Sequence, residues 1–131
     1  MIGIDTNVLV RFVMQDDEEQ ARVADAFFSS LSSSNQGYLS LVTMVELVWV
    51  LQASYKQPRA RIIAFIKQLF DVDSIVFENS TVLYTALESY QKGADFADAL
   101  ISASALMAGC TSVVTFDHKA ASVLGMCLLA E

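Results

Sequence analysis

The sequence predicts an α/β fold on a mostly parallel sheet covered by helices on both faces. Two observations carry that expectation. Short apolar runs of strand length, MIGID, SIVF and SVVT, alternate with longer segments of helical character. Strands buried on both faces read as continuous apolar runs, and strands that alternate with helices imply parallel crossover units, which should be right-handed.

The first strand covers residues 1–5 and stops on Asp5. Asp5, Thr6 or Asn7 can cap a short helix over Val8–Met14. In QDDEEQARVADAFFSSLSS, Asp16 or Asp17 can cap and acids fill the first turn. Ala21, Val23, Ala24, Phe27, Phe28 and Leu31 mark one apolar stripe. SSSNQG is a turn and Tyr38–Ser40 a short strand. Val42–Tyr55 reads as a helix, and Pro58 opens another that runs to about Phe70. Ser74–Phe77 is a strand. Asn79 or Ser80 caps a helix through Tyr90, and Lys92-Gly93 ends it. Asp95 caps a helix that Gly109 stops near Ala108. Ser112–Thr115 is a strand, Asp117–Leu124 a short helix ended by Gly125, and Cys127–Leu129 a weak last strand.

A chain of 131 residues, 54% of them apolar, with one Pro and no repeat or linker, reads as one domain over 1–131 that buries a real core without staples. Its most apolar stretch, Leu41–Leu51, is too short to cross a bilayer, which takes about 20 residues. The N-terminus has no basic stretch ahead of an apolar one, so the expectation is a soluble cytoplasmic protein with no membrane partner. Cys110 and Cys127 lack CxxC spacing and sit in apolar contexts, which predicts buried reduced thiols. The single His118 cannot build a histidine metal site. A net charge of −7 argues against a simple basic-patch nucleic-acid binder. Neither GxGxxG nor GxxxxGK[ST] occurs, so phosphate-cradling loops of those kinds are absent.

The chemistry-bearing residues are carboxylates. Ligands of open parallel sheets bind beyond the C-terminal strand ends. Asp5 ends the first strand, and Asp117, in TSVVTFD, lies two residues past the fourth, so both are expected at one edge. Each can also be a plain helix cap. Glu46 lies in LVTMVELVWVL, where Thr43 and Glu46 are the polar residues and share a helix face. A buried ionised Glu needs a partner, so these surroundings suggest a cation, unless Glu46 escapes to solvent along a polar stripe. In GADFADALISA, Asp95 and Asp98 are spaced as a capping box, with Asp98 one turn inside among small residues. Five acids from four segments, with no His or Cys among them, suit hard divalent cations such as Mg²⁺ or Mn²⁺. Without these five the net charge of −7 becomes −2, so a metal-filled site could hold a phosphodiester despite the acidic composition.

These residues match a known pattern. IDTNVLVRF, TMVELVWVL, GADFADALISA and VTFDHKAA, in that order, make the chain resemble the PIN-domain ribonucleases, and among them the VapC toxins of toxin–antitoxin pairs, over essentially its whole length. The resemblance implies a three-layer α/β/α sandwich with strand order 3-2-1-4-5. It places the four family acids on Asp5, Glu46, Asp98 and Asp117, with Asp95 as an additional acid and Thr115 as the small polar residue at the strand end. Asn7 and Thr6 look like support for the Asp5 turn. It further implies Mg²⁺- or Mn²⁺-dependent endoribonuclease activity through one or two ions, leaving 5′-phosphate and 3′-hydroxyl ends. A homodimer and inhibition by a cognate VapB-type antitoxin are also implied. Arg11, just beyond the DTN turn, can reach an RNA phosphate or pair with a surface acid.

Two other readings compete. A phosphatase of the haloacid dehalogenase kind also places Asp at the first strand tip, but it wants a second Asp where this chain has Asn7. A non-catalytic PIN module kept for dimerisation or antitoxin binding should have lost an acid, and this chain has lost none.

Overall fold

The computed structural model describes residues 1–129, so the last two positions of the expected domain lie outside the described residues. The chain divides into two units, Met1–Glu78 and the stretch from Asn79 onward.

The first unit contains β1 (Ile2–Gly3), α1 (Thr6–Met14), α2 (Glu18–Ser30), β2 (Gly37–Leu39), α3 (Leu41–Ala53), α4 (Arg59–Phe70) and β3 (Ile75–Phe77). Its three strands form one parallel sheet in the order β1-β2-β3. Parallel neighbours need long crossovers, and a helix pair supplies each of the two here. The five-strand order 3-2-1-4-5 is not seen as one sheet among the described residues.

β1 is shorter than the apolar run that announced it. The ladder nevertheless extends one residue further, because the Ile4 N–H donates to the Tyr38 carbonyl at 3.0 Å. Asp5 therefore stands where sheet pairing ends and α1 begins. Beside this point Gly37 opens β2. A Cβ on Gly37 would fall 2.7 Å from Ile4 Cδ1 and 3.0 Å from Leu31 Cδ1, so any larger residue must push these side-chain tips aside.

Leu9, Leu39, Met44, Leu47, Leu51, Ile62, Ile66 and Leu69 are sealed from solvent. Each such side chain contributes about 1.5–3 kcal/mol relative to its exposed state. Phe12 of α1 stacks on Phe28 of α2 with ring centroids 4.0 Å apart, which fixes the two helices together. The α2 stripe holds for Ala21, Ala24, Phe28 and Leu31, but Val23 is 64% exposed. The α3 segment, apolar nearly all round, also turns Val42 and Trp49 to solvent.

The second unit contains α5 (Ser80–Gln91), α6 (Phe96–Met107), β4 (Val114–Thr115), α7 (His118–Leu124) and β5 (Cys127–Leu128). α5 and α6 form a packed hairpin, with Tyr90 and Phe96 buried and edge-to-face at 5.6 Å. β4 and β5 pair in parallel, Val114 opposite Cys127 and Thr115 opposite Leu128. Gly125 ends α7 at φ 70°, a left-handed turn that costs glycine little and leads the chain into β5.

The expected caps are largely those found. Asp17 caps α2, Asn79 caps α5, and Asp95 and Asp117 cap α6 and α7. α3 starts one residue early because the Ser40 hydroxyl accepts from the Thr43 N–H at 3.1 Å. One expectation fails outright: Cys110 and Cys127 are free but exposed, not buried. Their apolar neighbours in sequence include Val114 and Leu128, which are themselves 59% and 42% exposed, so local hydrophobicity did not translate into burial. No helix among the described residues is long and apolar enough to cross a membrane.

Candidate active site

In the first unit lie Asp5, Thr6, Asn7 and Glu46 of the expected site residues. Asp5 is the N-cap of α1, and its Oδ1 accepts from the Thr6 N–H at 2.7 Å. Its Oδ2 makes no hydrogen bond among the described residues, so one oxygen serves the helix and the other remains available. Thr6 is buried, and its hydroxyl donates to Glu46 Oε1 at 2.9 Å. One threonine thus ties the strand-end turn to the middle of α3. Glu46 itself is exposed. Glu46 therefore escapes to solvent, and burial does not by itself require a cation beside it. The exposed face of α3 carries Val42, Glu46 and Trp49 together, and Thr43 turns inward, where it accepts from Ser40 at 2.9 Å.

Glu78, which the sequence reading passed over, accepts from the Leu41 N–H at 2.9 Å and so caps α3 from outside it. No sequence signal links these residues, because the bond depends on β3 ending beside the start of α3.

Asp5, Asn7, Arg11 and Gln20 line a groove of about 960 Å³ in this unit. Arg11 is not free. Its Nη1 lies 3.3 Å from Asp16 Oδ1 and donates to the Tyr55 hydroxyl at 3.0 Å, and its Nε donates to Gln20 Oε1. Tyr55 in turn donates to Asp16 Oδ2 at 2.9 Å. Partial burial works against the Arg11 charge, but Tyr55 and Asp16 outweigh it and raise the pKa of Arg11. The Tyr55 hydroxyl, more than Arg11, holds the Asp16 carboxyl below its ordinary value.

In the second unit Asp95, Asp98 and Asp117 line a cavity of about 250 Å³ together with Lys119. Asp95 Oδ2 accepts from the Asp98 N–H at 3.0 Å, the capping interaction expected from the DFAD spacing. Asp117 Oδ1 accepts from the N–H groups of Lys119 at 2.8 Å and Ala120 at 3.0 Å. The Thr115 hydroxyl accepts from the Asp117 N–H at 3.0 Å and holds the turn that carries this acid. As with Asp5, each capping carboxylate uses one oxygen for its helix and leaves the second without a hydrogen bond among the described residues.

Asp98 is half-buried and caps nothing. Burial raises its pKa first, and the charges of Asp95 and Asp117 raise it further. Both effects disfavour the ionised form. Among the described residues no group of three or more His, Cys, Asp or Glu side chains is drawn together as a formed metal site. The donor set still fits a hard divalent cation: the atoms that would hold it are carboxylate oxygens, and a cation at Asp98 would offset the burial and like charges that raise its pKa.

The model of the PIN domain family matches residues 2–124. A VapC ribonuclease of Aquifex aeolicus (strain VF5) is 27% identical over 118 residues, spanning 88% of this chain and 87% of that protein. With nearly its whole length matched to one family model, the chain belongs to the PIN domain family.

Proposed function

We propose that the chain is a divalent-metal-dependent endoribonuclease, the toxin of a VapC-type toxin–antitoxin pair. The family and the VapC ribonuclease relative supply the reaction class. The observation that carries the proposal is that Asp95, Asp98 and Asp117 line one cavity in the second unit, where burial, and then the charges of Asp95 and Asp117, push the Asp98 carboxyl up. A bound cation would offset both the burial and the like charges.

Asp5, Asp98 and Asp117 bind the ion or ions, and Glu46 and Asp95 complete the ligation or orient the attacking water. When bound, Mg²⁺ or Mn²⁺ generates a nucleophilic water at neutral pH and offsets the phosphate charge. Asp5, Asp95 and Asp117 are aimed by their own helices, since each caps one through a single oxygen. Thr6 holds Glu46, and Thr115 holds Asp117. Asn7 lines the groove beside Asp5. Family membership also favours the single 1–131 domain, the three-layer sandwich and the strand order 3-2-1-4-5. It sets aside the phosphatase reading.

The partners proposed are an RNA substrate, a second copy of the chain and a VapB-type antitoxin. The exposed Val42 and Trp49 offer apolar surface of the kind such protein partners cover. An antitoxin can silence the site by presenting Arg or Lys to its carboxylates.

The test is cleavage of RNA by purified protein with Mg²⁺ or Mn²⁺ and with excess EDTA, alongside Asp98→Asn. The proposal expects cleavage only in the metal-loaded wild type, and 5′-phosphate ends at defined sites when cellular RNA is mapped after brief expression. Equal cleavage in EDTA, or by Asp98→Asn, overturns it.

A further inference from the structure

We infer that Arg11 takes a phosphate of the bound RNA strand in the groove beside Asp5, and that Tyr55 and Asp16 are positioning residues holding its guanidinium in that pose. The inference rests on the ribonuclease reading above and adds a substrate-binding element to it.

Asn7 and Arg11 are four residues apart on α1 and line the same groove, so that groove follows one face of the helix away from Asp5. Arg11 is the one cation among its lining residues, against Asp5, Asp17 and Glu19. A polyanion laid along this groove meets repulsion at each of those acids and attraction at Arg11. Six residues of helix separate Arg11 from Asp5, about 9 Å of rise. Arg11 therefore contacts a phosphate neighbouring the one at Asp5, and acts on binding instead of on the reacting atoms.

The guanidinium is fixed but not consumed. Charge-assisted Arg–carboxylate bonds run at about 2.7–2.9 Å and are often bidentate. Here Nη1 stands 3.3 and 3.5 Å from the two Asp16 oxygens, and Nη2 makes no hydrogen bond among the described residues. The shorter bond to Asp16 comes from Tyr55, at 2.9 Å. Tyr55 reaches this cluster from beyond the end of α3, bonding both Asp16 and Arg11. An Arg whose purpose was to neutralise Asp16 would close on it directly. This one is aimed by a hydroxyl and by Gln20, with its side chain 33% exposed and one nitrogen spare.

The experiment measures anisotropy of a fluorescein-labelled, mixed-sequence single-stranded oligoribonucleotide across a KCl series, in an Asp98→Asn background so that the RNA survives. Arg11→Gln should weaken binding about tenfold, as for one lost charged hydrogen bond. It should also lower the log–log salt slope by about 0.7, the value for one phosphate contact on a single strand. Arg11→Lys should keep the slope and recover part of the affinity, since the charge remains and the fork is lost. Tyr55→Phe should weaken binding about threefold with the slope unchanged, as for one neutral hydrogen bond. In cleavage assays outside that background the same variants should raise KM by these factors and leave kcat within about twofold.

A purely structural Arg11 shifts the melting temperature and leaves the salt slope alone, and that result overturns the inference. So does tighter binding by Tyr55→Phe, which would make the cluster a latch that withholds Arg11, and so does absence of RNA binding by the parent. If Arg11→Gln fails to fold, Arg11→Lys and Tyr55→Phe decide the matter by the same criteria. Wild type that binds RNA but never cuts it overturns the ribonuclease reading and leaves this inference standing.

Discussion

The hydroxyl of Thr6 donates to Oε1 of Glu46 at 2.9 Å, joining residues forty positions apart in sequence. Thr6 also supplies the backbone N–H that Asp5 caps. One buried threonine therefore orients two of the proposed site acids of the first unit. In Thr6→Val the side chain keeps its shape and loses the donor. Glu46, being exposed, can turn to water, so the fold should lose only about 1 kcal/mol. RNA cleavage should fall further than that loss explains. The effects of Thr6→Val and Glu46→Gln on cleavage should be non-additive, since both break the same bond. Additive effects in that double-mutant cycle would show that Thr6 does not act through Glu46.

Asp5→Asn and Asp117→Asn separate the two uses of these carboxylates. Asparagine is as good an N-cap as aspartate, so α1 and α7 should survive and thermal melts should stay near wild type. The second oxygen, however, becomes an amide that neither carries charge nor ligates a cation well. Cleavage should drop at least about a hundredfold, the scale on which loss of one charge-stabilising group shows. Asp5→Ala should add a stability loss of about 1 kcal/mol to the same loss of cleavage, because the cap goes too. Wild-type activity in Asp5→Asn would assign Asp5 to the helix alone.

The capping roles explain how far the sequence could be read. The caps at Asp17, Asn79 and Asp95 were legible because capping is local, set by residues within one turn. The strand tip at Asp5 was legible for the same reason, although the strands are shorter than their apolar runs. Glu46 was misjudged in its burial: α3 is apolar on nearly every face, and nothing local reveals that the Val42–Trp49 side meets solvent. The exposed cysteines misled in the same way. Arg11 drew notice through the DTN turn, but its partner Tyr55 lies 44 residues away and Asp16 has several acidic neighbours, so no spacing marks the cluster. The Thr6–Glu46 bond is equally invisible, since helix periodicity places a side chain on a face without naming what it meets.

Gly37 provides a test of packing at the foot of the first site. A Cβ there would sit 2.7 Å from Ile4 Cδ1, so the tip of that side chain must shift. Gly37→Ala should cost about 1–3 kcal/mol in chemical denaturation, the range for overpacking a filled core. Ile4→Val removes the offending Cδ1 atom. The double variant Gly37→Ala with Ile4→Val should therefore recover part of the loss, although Ile4→Val alone costs about 0.5–1.5 kcal/mol. Strictly additive losses would mean that the clash is relieved elsewhere.

Asp98 links the chemistry of the second site to stability. Its position in the first turn of α6 favours a carboxylate through the helix dipole, worth about 0.3–1 kcal/mol. Burial and the charges of Asp95 and Asp117 nevertheless raise its pKa, so the ionised form is disfavoured in the folded chain. A folded pKa above the unfolded one means that the native state holds its proton longer. Stability then falls as the pH rises from the ordinary Asp value of about 3.9 through the raised one, and the loss is complete above it. In EDTA at neutral pH, Asp98→Asn should accordingly melt higher than wild type, and the gap should close as the pH drops toward the ordinary Asp value. Added Mg²⁺ or Mn²⁺ should reverse the order, because a cation stabilises only the charged site, by RT ln(1 + [L]/Kd). Differential scanning calorimetry of both proteins, with and without metal across this pH range, makes the check. A wild type that melts higher in EDTA at neutral pH, and gains nothing from metal, would show that Asp98 serves the helix and binds no cation.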